Sequence, residues 1–243
     1  MTALLGLRTA RRGVAPAHCP SSEASGGLGK RLIRCRIVFE SSAANRGQKR
    51  TSGVQRRGQE RRRAILDAAE ALLAEQGYEA ATLKAIGERA GIPTASMYHY
   101  FPDRHQVEAE LLRRHMTELD TRITAMLEKP EAQTLREAVD AMIDVLCDYY
   151  RAHRSCTELW FTGRHQMLVE LVRSFDDVQA ERLWRHLVNR GLASADTPRL
   201  AVQLSFEVGN RLFDVAFRRT PQGDGATIGE ARRLITAYLE SYS

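Results

Sequence analysis

From about residue 60 onward, apolar side chains recur at helical spacing almost without a break. Ile65, Ala69, Leu72 and Leu73 stand at i, i+4, i+7 and i+8, one face of a helix, and Gly77 follows as a residue able to take the left-handed conformation that ends one. This predicts a first helix over 58–76. Thr82 suits an N-cap, Leu83, Ile86 and Ala90 make one apolar face, and Gly91 breaks the segment after barely two turns. Pro93 can open but not continue a helix, so a third short helix is expected over 94–100, closed by Pro102. Asp103, another suitable cap, opens a fourth through Leu111, Leu112, Met116, Leu119 and Ile123 toward Leu127. Beyond Pro130 the pattern predicts helices over 133–152, 156–162, 165–190, 197–219 and 227–241, punctuated by Gly191 and the cluster Pro221 to Gly225. No segment alternates with period two and no internal repeat is visible, so the predicted fold class is all-α.

The helix expected from 197 carries two apolar stripes. Val202, Phe206, Gly209, Phe213 and Ala216 form one, and Leu200, Leu204, Val208, Leu212 and Val215 the other. A helix apolar on two faces must bury both, one in its own core and one in a partner, which points to a homodimer. The first stripe is assigned to the dimer interface.

Residues 1–55 behave differently. They are rich in Arg, Ser, Gly and Ala and lack sustained periodicity, so they are expected not to pack and to form a basic extension. Residues 1–63 hold 15 of the 36 Lys and Arg against three acids, a net +12 ahead of a body at −6. Such asymmetry suits a front end that meets a polyanion, and equally a solvated tail. An Arg- and Ser-rich leader also mimics an organellar transit peptide. Because the next methionine after Met1 is Met97, the alternative preferred here is an over-extended start, with translation beginning at a non-Met codon near Val38 or Val54.

Chemistry along the chain narrows the function. A short helix, a tight turn with Gly91 and a second short helix make a helix-turn-helix, whose second helix can enter the ~12 Å major groove if its outer residues are small or polar. Thr94, Ala95, Ser96 and His99 would form that outer side, with Met97 and Phe101 turned inward. The stretch RRRAILDAAEALLAEQGYEAATLKAIGERAGIPTASMYHYFPDRHQVEAELL closely resembles the DNA-binding domain of the TetR family. The likeness rests on the opening helix, Gly77-Tyr78, Thr82, the Ala90-Gly91 turn and the aromatic close Tyr98, Tyr100, Phe101, Pro102. Three departures stand out: Pro93 in place of a Ser-like N-cap, Gly87 where a small Ala is common, and Tyr100 at a frequent His position.

The resemblance implies a three-helix head over 56–105 and a helical ligand-binding and dimerisation domain over 106–243. It implies base contacts from Thr94, Ala95, Ser96 and His99 and a phosphate contact from Tyr98. Lys84 and Arg104 would hold the DNA backbone, with Arg61, Arg62 and Arg63 near phosphates or the minor groove; Thr82 and Tyr100 complete the set. Tyr78 and Phe101 are expected to pack the head together. The family also places an effector cavity in the C-terminal domain, and Met142, Cys147, Tyr150, Trp160, Phe161, His165, Met167 and Trp184 lie on helices that would line it. Aromatic walls with few polar groups suit a small organic ligand, although such stripes also build plain core.

Other chemistries find little support. SGGLGKR at 25–31 has Ala24 where a phosphate loop needs its first Gly, and Arg31 where it needs Ser or Thr. Seven histidines (His18, His99, His105, His115, His153, His165, His186) show no HExxH or i, i+4 ligand spacing, so no metal and no cofactor is expected. No GxSxG elbow occurs. Cys19, Cys35, Cys147 and Cys156 form no CxxC pair, which fits reduced thiols in a cytoplasm, and no apolar run reaches the ~18 residues of a membrane span. The expected function is a sequence-specific transcriptional regulator, a repressor released from a palindromic double-stranded DNA operator by a small-molecule effector. The alternative is a helical small-molecule-binding protein or enzyme whose head no longer binds DNA.

Overall fold

The computed structural model describes residues 44–129 and 131–242, with side chains from Gln55 onward. Residues 1–43 of the basic extension, with the SGGLGKR segment, Cys19, Cys35 and the start considered near Val38, lie outside the described residues, whereas Val54 falls within the first helix. The chain divides into two units, Met1–Arg46 and Gly47–Ser243, and the architecture that follows is that of the second.

Among the described residues every regular element is helical. Helix α1 spans Ala44–Gln76, beginning well ahead of residue 58. The extra turns are rich in Gln, Lys and Arg, which propagate a helix without an apolar stripe, so periodicity alone could not mark their start. Then follow α2 (Leu83–Ala90), α3 (Thr94–Tyr100) and α4 (Arg104–Leu127). Thr82 Oγ1 accepts from the Ala85 N–H at 3.1 Å and Asp103 Oδ1 from the Gln106 N–H at 2.9 Å, so both caps act as the sequence implied. Gly91 takes φ 65°, a left-handed stop that a side chain would strain.

The body comprises α5 (Leu135–Ala152), α6 (Arg154–Thr157), α7 (Gln166–Asn189), α8 (Arg199–Arg219) and α9 (Gly225–Glu240). A capping box between Thr134 and Glu137 starts α5, and Asp224 caps α9 through the Thr227 N–H at 2.9 Å. Where one helix over 156–162 was expected, α6 instead widens into a π-helical turn, Glu158–Thr162, closed by the Gly163 N–H donating to Glu158 O at 3.1 Å. The wider turn buries three consecutive side chains, Leu159, Trp160 and Phe161, and leaves Glu158 reaching outward. α4 runs unbroken from the head into the body, so the boundary expected at 105 falls in its first turn. One apolar core links α1, α4 and α5 to α7, α8 and α9. No helix among the described residues is long and apolar enough to cross a membrane.

Candidate nucleic-acid interface and effector cavity

The head is fastened from inside. Ile65, Ala69, Leu72 and Leu73 of α1 are buried with Ile86, Met97 and Phe101, so α3 is anchored by one face only. A Cβ on Gly87 would lie 3.0 Å from both the Ile92 carbonyl oxygen and Met97 Cγ, which is why α2 carries glycine where it crosses the turn. Arg89 and Glu75 pair through two contacts of 2.6 Å and tie α2 to α1. Thus held, α3 turns Thr94, Ala95, Tyr98 and His99 to solvent, with Ser96 and Tyr100 half-buried at the edges. Tyr98 is 58% exposed, unusual for a ring with no role in packing. Pro93 supplies no side-chain cap to α3.

The cations divide into two groups. Lys84 is exposed on α2 with only a 3.8 Å pairing to Glu88, and Arg63 is exposed on α1. Arg61 is exposed too, its guanidinium 3.3 Å from the Tyr100 hydroxyl. Arg62 and Arg104 are engaged within the protein. Arg62 donates to the Tyr100 carbonyl at 2.8 Å, pairs with Glu110 and lies over the Phe101 ring, pinning α1 to α3 and α4. Arg104 donates to Glu108 at 2.5 Å and to the Tyr78 carbonyl at 2.6 Å and stacks on the Tyr78 ring at 4.3 Å. Each spends two guanidinium nitrogens on partners inside the protein, so both act as struts. Thr82 serves as the α2 cap.

Around Tyr78 the head meets the body. Its hydroxyl bonds Glu108 at 3.2 Å, and burial followed by the Glu108 charge pushes the phenol up to about 12. Its backbone N–H donates to Glu158 Oε2 of the π turn at 3.0 Å. Nearby, His105 and His165 stack at 3.8 Å.

Within the body, α5, α7, α8 and α9 enclose a cavity of about 40 Å³ lined by Met142, Ile143, Leu146, Tyr150, Phe206 and Phe213, with Asp176 and Asn210 at one end. A second, more polar hollow of about 250 Å³ lies beyond that pair, walled by Trp160, Phe161, Arg164, Arg173, Glu207 and Arg211. Asp176 belongs to both linings and accepts from Asn210 Nδ2 at 2.5 Å. Burial pushes its carboxyl up to about 8, against the opposing bond from Asn210. Of the ligand set expected from the sequence, Met142 and Tyr150 reach the inner cavity and Trp160 and Phe161 the outer one. Cys147 is buried off both walls, and burial raises its thiol to about 11. His165 caps α7 and stacks on His105, and Met167 is half-buried against the core. Trp184 donates to the Thr197 carbonyl at 2.8 Å and lies under Arg199, away from either hollow. Asp176 and Asn210 were missed, because an acid within the run Phe175-Asp176-Asp177 reads as a solvated helix face.

The α8 stripe assigned to the dimer interface faces inward instead. Val202, Gly209, Phe213 and Ala216 are buried, and Phe206 half-buried, inside this chain's own core, so they are not a free dimer surface. Leu200, Leu204 and Val208 are 60%, 42% and 37% exposed, and Leu234 of α9 is 47% exposed. Spacing defined two stripes but could not say which faces inward; α7 and α9, packed on one side of α8, decide it. Histidines without ligand spacing along the chain also meet in space: Glu70, His115 and His153 bring one potential ligand atom each to within 4.8 Å of the others.

Comparison with known proteins agrees with this architecture. Residues 65–111 match the family model described as bacterial regulatory proteins, tetR family, and residues 134–239 match the model of the tetracyclin repressor-like C-terminal domain. A TetR-family transcriptional regulator from Streptomyces coelicolor is 30% identical, with a TM-score of 0.52 over 75% of this chain and 99% of that one. The HTH-type transcriptional regulator BetI of Vibrio atlanticus is 24% identical over 165 residues, 68% of this chain and 82% of the relative. The fatty acid degradation regulator FadR from Bacillus halodurans shares the fold at 18% identity, with a TM-score of 0.57 over 72% of this chain and 94% of that one. With both halves matched and the helix-turn-helix in place, the chain belongs to the TetR family of DNA-binding transcriptional regulators.

Proposed function

We propose that this regulator acts in the cytoplasm as a homodimeric repressor that holds a palindromic operator and releases it when a small organic effector occupies the body. The observation that carries the reading is α3. Met97 and Phe101 anchor it from behind, while Thr94, Ala95, Tyr98 and His99 face outward on a helix of groove-fitting width. Lys84, Arg61 and Arg63 flank it and hold phosphates, and Ser96 and His99 read base edges. Two copies meet through the exposed faces of α8 and α9, which sets two recognition helices on two half-sites.

The effector combines an apolar body with one hydrogen-bonding group. Met142, Ile143, Leu146, Tyr150 and Phe213 surround the first, and Asp176 with Asn210 meets the second. At about 40 Å³ the inner cavity holds little more than a water or two, so a ligand enters by moving its walls. Trp160 and Phe161 stand on the turn that carries Glu158, so wall movement transmits to Tyr78 and the head. A ligand need only prefer the conformer that binds DNA less well.

The test is binding of the full chain to duplexes from its own and the adjacent promoter, across a range of salt. A sequence-specific complex that weakens as salt rises is expected. Lys84→Ala should weaken all duplexes about equally, whereas His99→Ala and Ser96→Ala should change sequence preference. Unchanged preference in both of the latter would refute the assigned reading face.

A further inference from the structure

Where α1, α4 and the end of α5 converge, the chain assembles a polar cluster that neither DNA reading nor the effector cavity uses. Glu70 comes from α1, His115 from α4, and His153 is the C-cap of α5. His115 Nε2 lies 4.0 Å from Glu70 Oε1, and Glu118, three residues along α4, is 3.7 Å from His153 Nε2. The His115 side chain is 3% exposed and Glu70 is 29% exposed, so the cluster has a closed floor and an open mouth.

The floor is oriented. Nδ1 of His115 is 2.9 Å from the Tyr149 hydroxyl and Nε2 is 3.1 Å from Ser155 Oγ. Tyr149 is itself fixed, stacked on the His153 ring at 4.3 Å with the Arg122 guanidinium 5.0 Å from its own. With the proton on Nδ1 donated to the Tyr149 oxygen, Nε2 is left as the acceptor, holding Ser155 Oγ at 3.1 Å with Glu70 Oε1 next at 4.0 Å, an arrangement in which an outer hydroxyl sets the tautomer of a metal-ligating imidazole.

We propose that Glu70, His115 and His153 form a site for a divalent transition-metal ion of the zinc class, which fastens α1 of the head to α4 and α5. Two imidazoles and one carboxylate are a borderline donor set, suited to zinc and its neighbours and poorly suited to magnesium or calcium. Donors around a tetrahedral ion with bonds of ~2.0–2.1 Å stand about 3.3 Å apart. The present set spans up to 4.8 Å, so it closes through the two partly exposed side chains, Glu70 and His153, onto the fixed His115. Ser155 yields Nε2 to the ion, and water or Glu118 takes the fourth position. The nearby arginines leave room: Arg114 faces the other Glu70 oxygen, Oε2, at 3.8 Å and is held by Asp67 at 2.6 Å, while Arg122 holds Glu118 at 2.8 Å. Ligands on 70, 115 and 153 lie too far apart in sequence for any local spacing to announce them.

Calorimetric titration of chelator-treated full-length protein with Zn²⁺ is the test, with Mg²⁺ as control and Co²⁺ as a spectroscopic probe. One equivalent of Zn²⁺ per chain, no Mg²⁺ uptake, and visible Co²⁺ bands without a thiolate charge-transfer band are expected. His153→Ala and Glu70→Gln change partly exposed side chains and should preserve the metal-free melting temperature within a few degrees. Each should weaken Zn²⁺ binding beyond the ~10–100-fold that even outer-shell partners cost. No Zn²⁺ uptake, uptake undiminished in the double variant, or a thiolate band in the Co²⁺ spectrum would each overturn the proposal.

Discussion

Glu158→Ala separates a working link from a chance contact between the π turn and the head. The Glu158 carboxylate accepts the Tyr78 N–H at 3.0 Å, with its side chain 20% exposed. A hydrogen bond to a charged group contributes ~1.5–3 kcal/mol, and partial exposure places this one toward the lower end, about 1.5–2 kcal/mol. For a chain of this size each kcal/mol moves the melting temperature by ~2–4 °C, so a fall of about 3–8 °C is expected. Glu158→Gln retains a neutral acceptor, worth ~0.5–1.5 kcal/mol, and should lose roughly half as much. The competing explanation is the 3.7 Å pair with Arg154, half-exposed and so worth well under ~1 kcal/mol. Arg154→Ala should therefore shift the melting temperature by no more than about 2 °C. Hydrogen exchange supplies the local readout: the Tyr78 amide should lose protection in Glu158→Ala while amides of α7 keep theirs. Equal melting shifts for Arg154→Ala and Glu158→Ala, or unchanged exchange at Tyr78, would refute the link.

Three further outcomes follow from the packing. Asp176 has its folded pKa raised from 3.8 to about 8, so its favourable contribution is complete below about pH 4 and is lost as pH rises through about 8. Glu207 and Asp177 add to the upward shift, Asn210 opposes it, and Arg164, Arg173 and Arg211 line the hollow beyond. Denaturant titrations should find Asp176→Asn more stable than the parent by about 2 kcal/mol or more at pH 9, with the difference vanishing near pH 4. Gly87→Ala gains ~1 kcal/mol of helix propensity but sets its Cβ 3.0 Å from both the Ile92 carbonyl oxygen and Met97 Cγ, so thermal melting should find it destabilised by about 1 kcal/mol, whereas Gly87→Val adds branched bulk against the same carbonyl and should cost about 2–3 kcal/mol. Sedimentation should find Leu204→Glu/Val208→Glu folded but monomeric, while Phe213→Ala loses ~3–5 kcal/mol by cavity formation in its own core.

What the sequence made legible was local. Thr82, Gly91 and Asp103 act within one helical turn of themselves, and each sits where spacing placed it. Met97 and Phe101 turn inward and Tyr98 outward because seven residues with one apolar face admit only one orientation. What remained hidden depended on partners distant along the chain. Arg62 and Arg104 read as free cations until Glu110 and the Tyr78 carbonyl, 48 and 26 residues away, claim them. The α8 stripes are interchangeable in sequence, and Asp176 resembles any surface acid until Asn210 arrives from 34 residues on. The π turn has no signature in periodicity, since it inserts one residue into an otherwise helical pattern.

Two of these hidden features, the Arg104 contacts and the π turn, lie where head and body meet, and that placement has a mechanical consequence. α4 is continuous through the junction, so by itself it transmits any tilt of the body to the head without choosing a direction. Direction requires side ties that hold in one orientation and fail in another. Glu158 to the Tyr78 N–H is one such tie, and Arg104 between Glu108 and the Tyr78 carbonyl is a second, acting on the same turn of the head. Both converge on a single residue, so a displacement of the π turn by even an ångström or so weakens the first directly while the second still pins Tyr78 to α4. The head would then follow α4 alone, free of the body's flank. Under the proposed function, an effector that displaced Trp160 or Phe161 would act by removing a restraint on head orientation, and a shift of that kind needs only a differential affinity comparable to the tie it breaks.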